Sequence, residues 1–333
     1  MNTTVADQPA ETLDRRRSVT FRFLAAPTDV ASFGGPVHAG RVLEWIDKAG
    51  YACAVGWSRS YCVTAYVGDV RFTRPIESGE LVEVTATVVH TGRSSMHLLC
   101  SAAAADPTDG IFHEACVCLV IFVAIDDVGR SHPVPAWIPV TDEDKARAAD
   151  AEMAIGLRAD IEQSMATQTY TDDSTATRIT TRFLAAPTDV NWGGKVHGGT
   201  AMHWIDEAAN LCAMRWSGRS TTSAYAGGVR FYRPMQIGHL VELEGRLLHT
   251  GDQTMHVSVH VRSGDPRTLD MSLTTHCLTV VTALDDDGQP TEVRQWEPTT
   301  PEDRRLNSHA QELVALRKQV IGSALFGVAP QPD

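Results

Sequence analysis

The stretch HGGTAMHWIDEAANLCAMRWS, residues 197–217, predicts the element around which the rest of the fold is built. Two glycines, Gly198 and Gly199, stand at its beginning. Its apolar residues recur at intervals that place them on one face of an α-helix: Ala201, Trp204, Ile205, Ala208, Leu211 and Cys212. The pattern therefore predicts a long helix whose apolar face needs a surface to pack against.

A second copy of this segment, HAGRVLEWIDKAGYACAVGWS, lies at residues 38–58. The sequence FLAAPTDV occurs unchanged at 23–30 and at 183–190, and matched positions farther along are 159 residues apart. The spacing slips by one residue between Val30 and Gly34. A repeat of about 160 residues is too long for a solenoid unit and is typical of a duplicated domain.

The predicted elements follow the same order in each repeat. In the first repeat a strand at about 17–25 precedes the helix, and a charged helix at 141–164 ends the repeat. Between the helices lie four segments of strand-like composition, separated by turn sequences: 61–73, 80–91, 94–105 and 113–127. This order indicates an α+β fold in which an antiparallel sheet wraps around the long helix. We predict two such domains, 1–163 and 178–333, joined by the polar linker 164–177. The duplication further predicts that the two long helices lie side by side and that the two sheets join edge to edge within one chain.

The charge and the apolar runs limit the partners. A formal net charge of −12 argues against nucleic acid or an anionic membrane surface as a partner. The longest apolar run, residues 115–125, is half as long as the roughly 20-residue span of a membrane helix. The first 18 residues lack the apolar centre of a signal peptide. We therefore expect no membrane and no nucleic-acid partner.

The cysteines and histidines show no ligand pattern. Seven cysteines occur without a CxxC pair, and most of them lie inside apolar segments. This usage indicates reduced core thiols in a cytoplasmic protein. The histidines lack the spacings of metal-binding motifs, so no metal ion is expected.

One acid stands on the apolar face of each predicted helix, Asp47 in the first repeat and Asp206 in the second. An acid on a helix is usually a solvated surface residue. Here the neighbours on the same face are small or apolar: Leu43, Gly50 and Ala54 beside Asp47, and Met202, Ala209 and Ala213 beside Asp206. A carboxylate in such a strip needs a catalytic role or a buried polar partner, so we interpret both acids as functional.

An ordered set of motifs accompanies the acids. The second repeat has the pattern N-x5-H-G-G-x6-D and then F-x-x-P-x-x-x-G: Asn191, His197, Gly198, Gly199, Asp206, Phe231, Pro234 and Gly238. The first repeat keeps much of this pattern, at His38, Gly40, Asp47, Phe72, Pro75 and Gly79. It also contains the sequence TGRSSM at 91–96. The set resembles the hot-dog-fold acyl-CoA thioesterases, and more narrowly the cytosolic acyl-CoA hydrolases with two hot-dog domains in tandem. The resemblance covers roughly 17–130 and 177–290.

The resemblance implies thioester hydrolysis at a site between two hot-dog units. A helix acid of one unit then faces the Asn and the glycine-rich helix start of the other. The acid activates water as a general base or, as an alternative, attacks the acyl group itself. Asn191 orients water or substrate, and the Gly198 N–H stabilises the oxyanion, because N–H groups of a first helical turn lack a partner within the helix. His197 and Gly199 are expected to contact the substrate, whose CoA group makes a separate cofactor unnecessary.

The two sites differ in sequence. Asp47 has the full set of partners, Asn191 and Gly198, in the second repeat. Asp206 faces Ala39 in place of the first glycine, and Ala31 or Ser32 in place of the asparagine. We therefore predict that the Asp206 site is degenerate; the alternative is that these are neutral changes and both sites work.

CoA recognition is predicted at a turn of the first repeat, where the resemblance places Arg93, Ser94 and Ser95 near the nucleotide. The second repeat has Asp252, Gln253 and Thr254 there, and an ordinary strand turn is the alternative interpretation. Four further arginines offer positive charge or are surface residues: Arg71, Arg74, Arg230 and Arg233. His38 and His197 act as structural caps of their loops or in catalysis.

Three functions remain open at this point. The first is an acyl-CoA thioesterase, the second a hot-dog dehydratase or hydratase of acyl thioesters, and the third an acyl-CoA-binding module without turnover. The resemblance further implies a homo-oligomer in which three chains supply six hot-dog units. Neither the acyl chain length nor the choice between CoA and carrier-protein thioesters follows from the residues.

Overall fold

The two repeats share one antiparallel sheet of ten strands. The structure is a computed structural model in which residues 17–30, 35–268 and 270–321 are described. The first repeat contains β1 (Ser18–Leu24), α1 (Ala39–Ser58), β2 (Cys62–Phe72), β3 (Leu81–Thr91), β4 (Ser95–Ala105), β5 (His113–Ala124) and α2 (Asp142–Ala166). The second contains β6 (Arg178–Leu184), α3 (Gly198–Ser217), β7 (Ser220–Phe231), β8 (Leu240–Thr250), β9 (Thr254–Gly264), β10 (Ser272–Leu284) and α4 (Pro301–Ile321). The α+β prediction is confirmed.

The predicted elements agree with the structure within a few residues. The largest difference is at β5, which ends at Ala124 although the prediction extends the strand to residue 127. The chain turns there because the Asp126 side chain accepts hydrogen bonds from the backbone N–H groups of Val128 and Arg130. At the other end of the repeat, α2 continues to Ala166, two residues past its predicted end.

The repeats join through their central strands, as the duplicated sequence predicts. The strand order is β1-β3-β4-β5-β2-β7-β10-β9-β8-β6, so β2 of one repeat pairs with β7 of the other. Tyr66 lies opposite Arg230 and Arg71 opposite Tyr225 in this antiparallel pair. The joined sheet therefore places α1 and α3 side by side on one face.

The second glycine of each motif lets the two helices approach. A Cβ atom on Gly40 would lie 2.6 Å from the Cα atom of His203, and one on Gly199 would lie 2.7 Å from the Cα atom of Glu44. Both distances are shorter than any ordinary carbon contact. These two glycines are therefore required by the helix crossing, which explains why both repeats keep them.

The opposite face of the sheet is covered by α2 and α4. Val89, Val117 and Leu119 pack against Ala151 of α2. In the second repeat the strands pack against α4 and the end of α2 through Leu248, Leu278, Leu306, Ala310, Leu313, Ile161 and Met165. Inner strands such as β5 and β9 are thus buried on both faces. The predicted wrapping of the sheet around one helix accounts for only one of these faces.

The connection between the repeats is anchored to α4. The Thr171 backbone N–H donates to Glu302 at 2.7 Å, and the Thr175 hydroxyl donates to Asp303 at 2.7 Å. Both acids lie in the first turn of α4, where carboxylates also favour the helix dipole. In the described residues, no helix has the length and apolar character that a membrane span requires.

Buried histidines lie on the outer face of the sheet. His97 of β4 is 5% exposed and lies beside Arg158 of α2. Burial, reinforced by the positive charge of Arg158, lowers the pKa of His97 to about 3. Burial likewise lowers the pKa of His276, whose ring stacks on that of His260 with centroids 3.9 Å apart, to about 3.

We expect these histidines to make folding sensitive to mild acid. Because both pKa values lie below the ordinary value near 6.5, the unfolded chain binds more protons than the folded chain below that pH. The free energy of unfolding has its full value above about pH 6.5 and decreases as the pH falls toward 3. At pH 5 each histidine has lowered it by about 2 kcal/mol. Urea unfolding at several pH values measures this, and His97→Asn should show a shallower fall; an identical slope would contradict the role of His97.

Candidate active site

The carboxylate of Asp47 lies where the two repeats meet. Asp47 projects from α1 and is 2% exposed. Its Oδ1 accepts a hydrogen bond from the Thr64 hydroxyl of β2 at 2.6 Å. Its Oδ2 lies 2.8 Å from the Gly199 backbone nitrogen and 2.7 Å from the His197 Nδ1. Donors from both repeats therefore hold the acid that the sequence singles out.

His197 has two roles at the start of α3. It is the N-cap residue of the helix, with its Nδ1 3.3 Å from the Gly199 nitrogen. The shorter distance from Nδ1 to Asp47 places a proton between these two atoms, because two lone pairs would repel. His197 Nδ1 therefore donates to Asp47 and fixes the orientation of the carboxylate. The predicted substrate contacts of His197 and Gly199 stay predictions.

Asn191 uses its side-chain oxygen to shape its own loop. The Oδ1 atom accepts hydrogen bonds from the backbone N–H groups of Gly193 at 2.8 Å and Lys195 at 3.1 Å. Its Nδ2 is 3.5 Å from the Val196 carbonyl oxygen, at the limit of a hydrogen bond. The amide N–H₂ thus lies beside the Val196 carbonyl and the Tyr61 hydroxyl, and Asn191 is one of the residues that line the cavity.

Gly198 lies against the catalytic candidates without a side chain between them. A Cβ atom at this position would lie 2.8 Å from the Thr64 hydroxyl oxygen and 3.3 Å from Asp47 Oδ1. The Gly198 N–H, at the first position of α3, has no intrahelical acceptor. The site therefore combines a carboxylate, a hydroxyl and an outward-facing N–H at the positive end of a helix.

A cavity of about 210 Å³ opens at this point and is lined by Asp47, Thr64, Asn191, His197 and Gly198 together. Four residues that the sequence analysis did not single out also line it: Tyr51, Cys62, Trp192 and Lys195. The rings of Tyr51 and Trp192 stack in parallel, with centroids 4.3 Å apart. Burial raises the pKa of the Cys62 thiol to about 11, so this sulfur stays protonated and is a poor nucleophile.

Asp206 is held in the same way on the other side of the pseudo-twofold axis. It is 4% exposed, and its Oδ2 lies 3.0 Å from both the Gly40 nitrogen and the His38 Nδ1. The Ser223 hydroxyl donates to its Oδ1. Burial lowers the pKa of His38, but the hydrogen bond and negative charge of Asp206 raise it by a larger amount. The pKa of His38 therefore lies above its ordinary value. His38 is the N-cap of α1, as His197 is of α3.

The second acid is nevertheless separated from its cavity. A space of about 740 Å³ occupies the equivalent position and is lined by Ala39 and Ser223, while Asp206 is not among its lining residues in the described part of the chain. Ala39 carries a methyl group where Gly198 carries none, and it faces Ser223, which lacks the methyl group of Thr64. The predicted counterparts of Asn191, Ala31 and Ser32, lie outside the described residues.

The predicted CoA contacts lie apart from the acid. Arg93 is exposed, and its carbonyl accepts a hydrogen bond from the Val134 N–H. The Ser94 carbonyl accepts one from Ala124, the neighbour of the lining residue Ile125. The cavity lining does not include Arg93, Ser94 or Ser95, so their contact with CoA stays a prediction.

The other four arginines separate into different roles. Arg74 pairs with Glu80 at 2.6 Å, and Arg230 pairs with Glu162. Arg71 lies within the β2–β7 junction. Only Arg233, among these four, lines the cavity beside Asp47.

Thr64 is the functional residue that the sequence analysis missed. A signal for it exists, because Thr64 follows Asp47 by 17 residues and Ser223 follows Asp206 by 17 residues. The shared spacing between the acid and the hydroxyl residue becomes a useful signal only once the acid is known to need a hydrogen-bond donor. Lys195 gave no comparable signal, because a single lysine in a loop is usually a solvated surface residue.

Comparisons with known proteins place both repeats in one family. The model of the Thioesterase superfamily matches residues 34–111 and 193–269, one match in each repeat. The cytosolic acyl coenzyme A thioester hydrolase of Rattus norvegicus is 25% identical, covering 83% of this chain and 77% of the rat protein. A crystallised hexameric acyl-CoA thioesterase is 34% identical, covering 46% of this chain and 98% of its own, with a TM-score of 0.42. A Lactobacillus plantarum structure assigned as an oleoyl thioesterase is 11% identical over 81% of this chain and 97% of its own, and its TM-score of 0.56 shows likeness of fold.

Proposed function

The chain belongs to the thioesterase superfamily, and from this premise we propose that it hydrolyses acyl-CoA to a free acid and CoA at the Asp47 site. One observation carries the choice of site: Asp47 lines a cavity together with the Gly198 helix start, while Asp206 is not among the described residues that line the equivalent cavity. Hydrolysis of a thioester needs a base for water and a donor for the oxyanion, and this cavity offers both.

Asp47 is the general base of this proposal. A carboxylate has about four acceptor positions, and Thr64, His197 and Gly199 occupy three of them. The remaining position accepts a hydrogen bond from water and then its proton, as the water oxygen attacks the thioester carbonyl carbon. The carbon–sulfur bond breaks, and the departing thiolate takes the proton back from Asp47.

The other groups position the reactants. The Gly198 N–H donates to the carbonyl oxygen as it becomes negative, with the helix dipole of α3 behind it. The Asn191 amide orients the carbonyl or the water, and the Thr64 oxygen accepts from the water that Asp47 activates. Direct attack by Asp47 on the acyl group is disfavoured, since three donors withdraw charge from the carboxylate.

A second function is favoured by one feature of the site. Hot-dog dehydratases and hydratases need a histidine working with an acid, and His197 lies 2.7 Å from Asp47. The Nδ1 atom is however committed to Asp47, and a second N–H donor fixes the same carboxylate oxygen. We therefore place His197 in the role of a positioning residue in hydrolysis.

The release of thiol from a series of acyl-CoAs, followed with a thiol-reactive dye, tests the proposed function. A thioesterase releases one CoA per substrate consumed. A hydratase instead removes the absorbance of an enoyl-CoA without releasing thiol, and a binding module binds acyl-CoA without turnover. Either of these two results would replace the proposed function.

Arg93→Ala is expected to raise KM for acyl-CoA several-fold and to leave kcat nearly unchanged. A nucleotide phosphate is bound alike in the ground state and the transition state, so its loss affects binding alone. Steady-state kinetics with acyl-CoA and with the matching acyl-pantetheine measures this, and the shorter thioester should be unaffected. If both substrates suffer equally, Arg93 is not a nucleotide contact.

We further propose that three chains associate in the cytoplasm, giving six hot-dog domains. The hexameric thioesterase that matches 46% of this chain and the rat relative described as cytosolic support this assembly and location. Light scattering coupled to gel filtration should give three times the chain mass of 36.2 kDa. A species of one chain mass at working concentration would exclude the trimer and leave the site between the repeats intact.

A further inference from the structure

The two cavities of the chain carry opposite charge. Among the described residues, Asp47 is the one carboxylate that lines the cavity at the first acid, and two cations, Lys195 and Arg233, line it. Four carboxylates line the other cavity: Glu77, Asp285, Asp286 and Asp287. Two of these acids are substitutions at matched positions, Glu77 for Gln236 and Asp287 for Val128. The other two match Asp126 and Asp127, which are not among the residues that line the first cavity.

Both cations of the first cavity lack an ion-pair partner in the described residues. Lys195 belongs to the same loop as Asn191, whose side chain accepts from the Lys195 N–H and whose N–H donates to the Lys195 carbonyl. Arg233 follows β7, and its guanidinium donates to the Ser272 hydroxyl at 3.2 Å. Both charges are therefore available to an anion at the cavity. Backbone hydrogen bonds fix the position of Lys195 relative to Asn191.

The second cavity has no unpaired positive charge among its described lining residues. Pro36 stands at the position of Lys195, and Arg74, at the position of Arg233, is paired with Glu80 at 2.6 Å. Three consecutive acids of the turn after β10, residues 285–287, line this cavity. A polyanion that enters it meets four carboxylates and one paired arginine, and a chain of net charge −12 offers no compensating long-range field.

We propose that Lys195 and Arg233 bind the phosphates at the nucleotide end of CoA, and that residues 285–287 exclude CoA from the second cavity. This inference rests on the proposed function and names the part of the substrate that the site recognises. A charged hydrogen bond to phosphate is stronger than a neutral one, and the guanidinium of Arg233 suits two phosphate oxygens at once. CoA therefore binds once per chain, at the cavity that contains Asp47.

The kinetic test compares three thioesters of one acyl group. Lys195→Ala and Arg233→Ala should each raise KM for acyl-CoA about tenfold, and the double variant about 100-fold, with kcat nearly unchanged. The effect should be smaller with acyl-4′-phosphopantetheine and absent with acyl-pantetheine. Arg74→Ala, the matched control in the second cavity, should leave all three KM values unchanged.

Three results would overturn the proposal. They are an unchanged KM for acyl-CoA in the double variant, an equal rise in KM with acyl-pantetheine, and an equal rise with acyl-4′-phosphopantetheine. The last would assign the contacts to the pantetheine phosphate of a carrier-type arm instead of the nucleotide.

Calorimetric titration with CoA itself separates this proposal from the proposed function, because it requires no turnover. The parent chain should bind one CoA, and the double variant should bind it about 100-fold more weakly. A chain that hydrolyses no thioester but loses CoA affinity in these variants would contradict the function and support the phosphate contacts. Two equivalent CoA sites per chain would overturn the exclusion by residues 285–287.

Discussion

Asp47→Asn is expected to lower kcat about 10³-fold, while the matched change Asp206→Asn leaves most of the activity. The general base in this type of reaction contributes about 10²- to 10⁴-fold, and only Asp47 lines a cavity with the Gly198 helix start. Asparagine has nearly the same shape as aspartate but has neither the charge nor the basicity to take a proton from water.

The same pair of variants separates catalysis from stability. Each acid accepts three hydrogen bonds from equivalent donors, so both substitutions should lower the midpoint of thermal unfolding by similar amounts. Kinetics and thermal unfolding measured on both proteins give the comparison. Equal losses of kcat in the two variants would show that both sites are active and would contradict this prediction.

Gly198→Ala is expected to lower kcat by about 10²-fold or more. The added Cβ would lie 2.8 Å from the Thr64 hydroxyl and 3.0 Å from its Cβ, so it would displace the donor that holds Asp47. It would also occupy the approach of the thioester carbonyl to the Gly198 N–H, and the loss of one oxyanion donor costs about 10²- to 10³-fold.

The duplicated chain supplies both a control and a rescue for this change. Ala39→Gly, at the matched position of the first repeat, should leave kcat unchanged. Adding Thr64→Ser to Gly198→Ala reproduces the Ala39 and Ser223 pair of the second site and should recover folding stability more than activity. Full activity in Gly198→Ala, measured with saturating acyl-CoA, would exclude the Gly198 N–H from oxyanion binding.

The retention of Asp206 has a structural explanation. Its carboxylate satisfies the Gly40 N–H at the start of α1, the His38 N–H and the Ser223 hydroxyl, all in a buried position. Removing it would leave these donors unpaired, which costs about 1–3 kcal/mol for each buried group. A repeat can therefore lose its catalytic partners and still keep its acid, and the presence of the acid alone does not mark an active site.

Pairing of unlike repeats within one chain allows this division of roles. The Asp47 site takes its acid and hydroxyl from the first repeat and its N–H donors from the second. A dimer of identical units would repeat every substitution in both sites. In the duplicated chain, the changes at Ala39, Pro36 and Asp287 affect only the second cavity.

The helices and strands of this protein, and their order, follow from the amino-acid sequence alone. Helix and strand bounds follow from periodicity over neighbouring residues, so Ala39–Ser58 and Gly198–Ser217 were predicted to within one residue. The duplication is visible as repeated sequence segments, and it predicts that the sheets of the two repeats join. The candidate acid, the glycine-rich helix start and the loss of Gly at Ala39 are likewise local features.

Which groups meet at each acid depends on how the two repeats pack, and this is visible in the tertiary structure alone. The Gly199 N–H and Asp47 are 152 residues apart in the chain, and helical spacing shows which residues share a face without showing what lies across from it. The structure identifies Thr64 as the hydroxyl donor, places Lys195 and Arg233 at one cavity, and leaves Asp206 out of the lining of the other. These facts depend on the close packing of two helices against a shared sheet, which brings together residues that are distant in the chain.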